Sequence, residues 1–305
     1  MHVLQALTAS PRLLSRTVAA PSWVIAGNIH DNCAFLSGKV HEVGLCLFEA
    51  EACLAYTDAD LPPALAGLPL SWHAHLPVDL DWGAGPHGAP GAGAARVCGL
   101  LMDRVAFLGA RRAVLHPPTP EQARAAGFAG TDGPARLLGV FLDAWTRQGR
   151  DPADLLLENI AGQDLADLIP AIADGNCNVC LDMGHVLTYG QHRLPASAGL
   201  LRRVRMVHVH APGGMDRHRP LTELTAEEAA WAARVLPALP PDAVLTVEVF
   251  AWDGVRASLP VLDRLLEGRD GMPSCAGGRS GVPSSHFTSG AARRSVSRAG
   301  AKRRS

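Results

Sequence analysis

The chain has 305 residues, 48% of them hydrophobic and 19% charged, with a formal net charge of −1. That length can bury a substantial core in one large domain or two small ones. The near-neutral balance excludes a global field drawing the protein to nucleic acid or membrane. Lysine occurs only at positions 39 and 302. Seven scattered cysteines give no disulfide framework, so a reducing cytoplasm is expected. The pair Cys177-x-x-Cys180 has no second CxxC to complete a zinc ribbon and runs directly into an apolar strand, so both are read as buried structural thiols.

At the N-terminus, basic residues interrupt every apolar run through residue 27, so no secretory signal is expected. No stretch reaches the ~18 apolar residues of a membrane span. Strand-like runs then recur eight times, at 22–27, 42–49, 68–76, 112–118, 154–160, 178–184, 204–212 and 243–250. Several are almost continuously apolar, as strands of a helix-covered parallel sheet should be. A Gly/Ala/Pro-rich segment at 81–96 reads as a flexible loop at the end of the third strand. Helices are predicted at 121–128 and 134–149, the second with Leu137, Leu138, Phe141, Leu142 and Trp145 at helical spacing. A third, at 225–239, opens with Thr225 and Glu228 as a capping box. A fourth, at 255–268, closes on Gly268. Eight β/α alternations in about 250 residues predict a (β/α)8 TIM barrel. An open doubly wound sheet is the alternative, but no GxGxxG follows an early strand. The barrel domain is assigned to residues 1–268. Residues 269–305 form a basic Ser/Gly/Arg-rich tail with almost no core-forming residues, expected to be disordered.

Function is expected at the C-terminal ends of barrel strands, and there the sequence places an ionisable residue almost every time. In order these are Glu49, His73 and His75, His116, Glu158, Asp182 with His185, His208 and His210, and Glu248; Asp216 and His218 follow the seventh strand. Residues i and i+2 of a strand share a face, so His73 and His75 can both point inward, as can His208 and His210. Glu158 in "LLLENI" and Glu248 in "LTVEVF" would be costly to bury unpaired. A divalent cation supplies the compensation, and imidazole with carboxylate suits zinc, manganese or iron. His87, His192 and His286 receive no role.

Strand by strand, the chain resembles the xylose isomerase-like barrels, which include sugar isomerases and endonuclease IV. The stretch "LDMGHV…VHVHAPGGMDRH" is similar to endonuclease IV's Asp-x-x-His after strand six, His on strand seven and Asp-x-His in the next loop. That resemblance implies two or three metal sites. His73, His116 and Glu158 would hold one ion; Glu158 would bridge to a second held also by Asp182, His208 and Glu248; His185, Asp216 and His218 would hold a third. Glu158, Glu248 and His116 would be the catalytic members. The loops are short and the body is not basic, which argues against a DNA duplex as substrate. The segments "APSWVIAGNIHDNCAFL", "WHAHLPVDLDW", "LLLENIAGQDL" and "CLDMGHVLTYGQ" more closely resemble the cobamide-remodelling phosphodiesterase family (CbiR). This implies hydrolysis of the nucleotide-loop phosphodiester of B12-type cobamides to cobinamide phosphate and α-riboside. Glu49, His75, His210 and Trp23 would then support the metals or touch substrate, and Trp72 and Trp82 would either do the same or fill the core. A sugar isomerase or epimerase, an abasic-DNA endonuclease, and a non-catalytic binding protein working through its arginine tail are the competing expectations.

Overall fold

The almost continuously apolar runs become eight short parallel strands. They are β1 (Val18–Pro21), β2 (Glu42–Cys46), β3 (Ser71–His75), β4 (Ala113–Leu115), β5 (Leu155–Glu158), β6 (Asn178–Asp182), β7 (Val204–Val209) and β8 (Val244–Val247). Each pairs with the next and β8 pairs with β1, which closes the barrel. The computed structural model describes residues 12–214 and 217–268. The expected tail at 269–305 and the candidate ligand Asp216 lie outside the described residues. Among the described residues, no helix is long and apolar enough to cross a membrane.

Inside the barrel the two-residue period separates an inert layer from a reactive one. Ala19, Val114, Leu156, Cys180, Met206 and Val244 form a closed apolar layer, each at most 1% exposed. Two residues further along β4 to β8 come His116, Glu158, Asp182, His208 and Thr246, and two beyond Thr246 comes Glu248. Alternation turns these positions to the same interior face, the first five one level nearer the C-terminal end and Glu248 two.

Outside the sheet, the helix Gly133–Arg147 buries Leu137, Leu138, Phe141, Leu142 and Trp145 along one stripe, as the periodicity predicts. The helix Ala226–Val235 starts on the Thr225/Glu228 capping box, with both reciprocal bonds formed. The last helix, Trp252–Glu267, ends on Gly268 at φ +84°, a conformation glycine adopts without steric cost.

Two expectations are corrected. The first strand is Val18–Pro21, four residues earlier than the run at 22–27. Val24 and Ile25 instead donate their N–H groups to Asn32 Oδ1 at 2.7 and 2.9 Å, which folds 22–27 into a loop leading to the helix Ile29–Leu36. The Gly/Ala-rich segment is also not a loop throughout. From Ala92 it is the first turn of the helix Ala92–Val105, whose Gly93, Ala94 and Ala95 are buried. Small residues there permit close packing where a flexible linker was expected.

Candidate metal centre

Glu158 ends β5 at the centre of the C-terminal mouth, with 1% of its surface exposed. Its Oε2 stands 3.1 Å from His75 Nε2 and 3.2 Å from His116 Nε2, and its Oε1 stands 3.2 Å from His208 Nδ1. Glu248, just beyond β8, brings Oε2 to 2.9 Å from His208 Nδ1 and 3.4 Å from His218 Nδ1. Asp182, the last residue of β6, faces His210 Nε2 at 3.2 Å and His185 Nδ1 at 3.6 Å. Its Oδ1 also accepts the His185 N–H at 2.6 Å, so one carboxylate both caps the helix Met183–Tyr189 and places His185 on the helix's first turn. Gly184 makes room beside it, since a Cβ there would lie 2.0 Å from the His210 ring.

Three groups of these side chains have donor atoms within 4.8 Å of one another. One is His75, Glu158 and His208; the second is Glu158, Asp182, His208 and Glu248; the third is His185, His210 and His218. Glu158 and His208 belong to the first two, so those groups adjoin.

The donor set fits divalent cations on chemical grounds. Glu158, Asp182 and Glu248 are all at least 97% buried, and among the described residues no arginine or lysine pairs with any of them. Burial alone pushes the Glu158 carboxyl up, but the charges and hydrogen bonds of His208 and His116 outweigh it and hold Glu158 well below the usual range. Burial likewise raises Glu248, and His208 with His218 pulls it down. Burial lowers His210, yet Asp182 and Glu248 leave it pushed up to about 9. The carboxylates thus remain charged because positive charge faces them, which a metal supplies with less crowding than a set of imidazolium rings. Glu248 Oε2 and His208 Nδ1 are 2.9 Å apart, but Glu248 Oε2 makes no aligned hydrogen bond. Lone pairs converging on a common point suit a cation better than a shared proton.

The histidines are also presented as ligands usually are. His75 Nδ1 faces the Leu76 carbonyl at 3.0 Å, and His210 Nδ1 the Ala211 carbonyl at 3.0 Å. Donation to those carbonyls fixes the tautomer and turns the lone pair of each Nε2 toward the carboxylates. Asn159, buried beside Glu158, ties β5 to β6 by accepting the Asp182 N–H at 2.8 Å and donating to the Asp182 carbonyl at 3.0 Å. Sequence reasoning passed over Asn159, though a buried amide next to a buried glutamate is a recognisable signal.

Several sequence-predicted residues are placed elsewhere. His73 does not join the cluster. Its Nδ1 bonds Glu42 Oε1 at 2.6 Å, and its ring fills the space over Gly44, where a Cβ would come 2.6 Å from Nε2. Both histidines of β3 are buried, but His73 sits one pair lower and already has its carboxylate; His75 occupies the position next to Glu158. Glu42 itself was missed: it is 1% exposed and also accepts from Arg112 Nη2 at 2.6 Å. Its signal was a charged residue opening the apolar run "EVGLC". Glu49 is exposed at the start of the short helix Ala50–Leu54 and lies outside the cavity. Trp23 is 61% exposed on the loop after β1, in a separate pocket. Trp72 and Trp82 are core residues, Trp82 packing on Phe141 at 5.3 Å between ring centroids. His210, left without a ligand role by the sequence, stacks on His218 at 3.9 Å and completes the third group. Cys177 and Cys180 are buried thiols, each pushed up to about 12 chiefly by burial.

A cavity of about 390 Å³ opens above this cluster, its floor formed by His75, His116, Glu158, His185, His218 and Glu248.

No protein-family model matches the sequence, and no curated protein matches it. Solved structures match the fold. A D-tagatose 3-epimerase-like protein superposes with a TM-score of 0.60 at 17% identity, covering 82% of this chain and 97% of its own. Endonuclease IV from Thermus thermophilus gives 0.57 at 20% identity, covering 81% and 99%. A further protein from the same organism, soaked with ZnCl2, gives 0.52 at 23% identity, covering 83% and 99%. The architecture is therefore the closed eight-stranded TIM barrel, and its structural neighbours include an endonuclease and sugar epimerases.

Proposed function

We propose that the protein is a metal-dependent phosphodiesterase that hydrolyses the nucleotide-loop phosphodiester of cobamides in the cytoplasm, yielding cobinamide phosphate and α-riboside. The observation that carries the reading is the join between the donor groups: Glu158 and His208 are shared by two of them, and an all-histidine group adjoins through Asp182. Adjacent cation sites around one cavity suit a phosphoryl centre, where charge must be balanced on the attacking and leaving oxygens together. The motif resemblance over the strand ends supplies the cobamide as substrate.

In this reading His75, His116 and Glu158 hold one ion; Glu158, Asp182, His208 and Glu248 hold the next; His185, His210 and His218 hold a third, with Asp216 a further donor. Zinc suits the imidazole-rich set, and manganese or iron would suit the carboxylates. Such ions, when bound, supply a water acidic enough to ionise near neutral pH and positive charge at the phosphoryl oxygens. Glu158 fixes the spacing of the two sites it joins. Glu248, which lines the cavity, serves as a ligand and orients the attacking water. His116, 20% exposed and the wettest member beside Glu158, is the third catalytic residue of the reading, acting as a ligand of the first ion. The catalytic domain is residues 1–268, and the segment 269–305 is a dispensable extension.

The epimerase-like neighbour supports a second reading, in which Glu158 and Glu248 exchange protons with a sugar on a single metal. Replacing His218 separates the two: an epimerase retains most activity, whereas the three-site phosphodiesterase loses it. The direct test incubates zinc-loaded protein with cobalamin and follows products by mass spectrometry. Cobinamide phosphate and α-riboside are expected, and their absence alongside cleaved abasic DNA or an epimerised ketose would overturn the proposal.

A further inference from the structure

The walls of the cavity differ from its floor. Phe48, Val78, Ile160, Ala161 and Phe250 line them, carried on the segments that follow β2, β3, β5 and β8. Val78 and Phe250 remain 48% and 39% exposed. The two phenyl rings meet edge to face at 5.9 Å, Phe48 stands edge-on to His75 at 5.0 Å, and Phe250 lies 5.2 Å from His218. One aromatic surface therefore begins at the imidazoles of the floor and ends in solvent. Among the described residues lining the cavity there is no lysine and no arginine.

That combination restricts the substrate. A nucleic-acid strand presents phosphates on both sides of the scissile bond and needs cationic side chains along its path. A free sugar needs hydrogen-bonding groups around its ring, and these walls offer phenyl, isopropyl, sec-butyl and methyl groups instead. Exposed aromatic surface directly beside a reactive floor is relieved by covering it with a flat apolar partner. Resting on the phosphodiesterase reading, we infer that the substrate carries, next to the reacting phosphodiester, a broad uncharged apolar group that seats against Phe48 and Phe250, and that this wall is the specificity determinant. The floor neutralises a single anionic group, and the wall favours esters that also carry such an apolar group over esters that lack one.

The test uses two phosphodiesters with the same 4-nitrophenolate leaving group, one with a methyl and one with a 2-naphthyl group on the retained side. The zinc-loaded full chain is assayed as wild type, Phe250→Ala and Phe250→Leu, with zinc content and thermal midpoint measured on each. Wild type should favour the naphthyl ester about tenfold in kcat/KM, chiefly through KM, as expected for one well-stacked ring. Phe250→Ala should remove most of that preference, and Phe250→Leu, which keeps an apolar wall, should retain part of it. Equal use of both esters by the wild type, or an unchanged preference in Phe250→Ala with full zinc content, overturns the inference and leaves the phosphodiesterase reading standing. If neither ester nor cobalamin is hydrolysed, the phosphodiesterase reading fails and the inference fails with it.

Discussion

Glu42 and Glu158 are both 1% exposed glutamates facing histidines inside the same barrel, yet their surroundings differ in one decisive way. Glu42 meets His73, Ser71 and Arg112, so a guanidinium always in its charged form answers its charge. Glu158 meets His75, His116 and His208, with Asp182 and Glu248 close by and, among the described residues, no arginine or lysine in its ion pairs. The first cluster is a closed network that satisfies its own groups. The second keeps three carboxylates together and relies on something titratable or bound to balance them. Histidine and glutamate in a strand therefore do not by themselves mark a candidate metal site; three buried carboxylates facing imidazoles, with no arginine or lysine among their described partners, do.

Substitution at the two glutamates gives the largest contrast. Glu158→Ala should lower phosphodiesterase kcat by about a thousandfold or more, because it removes the ligand that joins two sites. The substitution also leaves His75, His116 and His208 without the carboxylate they face, so a circular-dichroism melt alongside the rate assay separates lost chemistry from lost stability. Glu42→Gln should act on stability alone. It leaves His73 and Arg112 without their anion and should lower unfolding free energy by about 2–3 kcal/mol, less than for a fully buried pair because Arg112 is partly exposed. Zinc stoichiometry should be unchanged. A Glu42→Gln protein that folds normally but loses zinc would break the contrast.

The two histidines of β3 sharpen the same point at smaller scale. His75→Asn should weaken binding of at least one zinc by roughly 10–100-fold, read by competition with a chromogenic chelator. His73→Asn should keep zinc affinity within about threefold and act mainly on stability. Equal losses in the two variants would return His73 to the ligand set.

These residues also mark where the sequence was legible. Eight apolar runs with turn-like punctuation sufficed for a closed parallel barrel, because a strand buried on both faces leaves a composition that little else imitates. The ring of strand-end carboxylates and histidines was legible for the same reason: the two-residue period takes Val114, Leu156, Cys180 and Met206 to His116, Glu158, Asp182 and His208. What the period could not resolve was depth. His73 and His75 share a face, and only the partner on the neighbouring strand tells which is one level lower; that partner, Glu42 on β2, is 31 residues away in sequence. The first strand was misplaced because Trp23, Val24 and Ile25 look strand-like, while the Asn32 side chain that captures their backbone is invisible to local pattern. His210 found its role only through stacking on His218 across an irregular loop.

The smallest predicted effect concerns acid. Burial alone would raise the Glu42 carboxyl, but the hydrogen bond and charge of His73, with Arg112 and Ser71, outweigh it and hold Glu42 below its ordinary value. The sign follows from proton counting. Between the lowered folded value and the ordinary value of about 4.3, the unfolded chain binds more protons at this site than the folded one. Its stabilising contribution is therefore complete above about pH 4.3 and disappears as pH falls through the folded value. Urea midpoints of metal-free protein at pH 6 and near pH 3.5 should differ less in Glu42→Gln than in wild type, because glutamine cannot titrate. Parallel loss in both proteins would place the acid sensitivity in the Glu158 cluster, and would show that the arginine-paired network is not the pH-dependent half of the barrel interior.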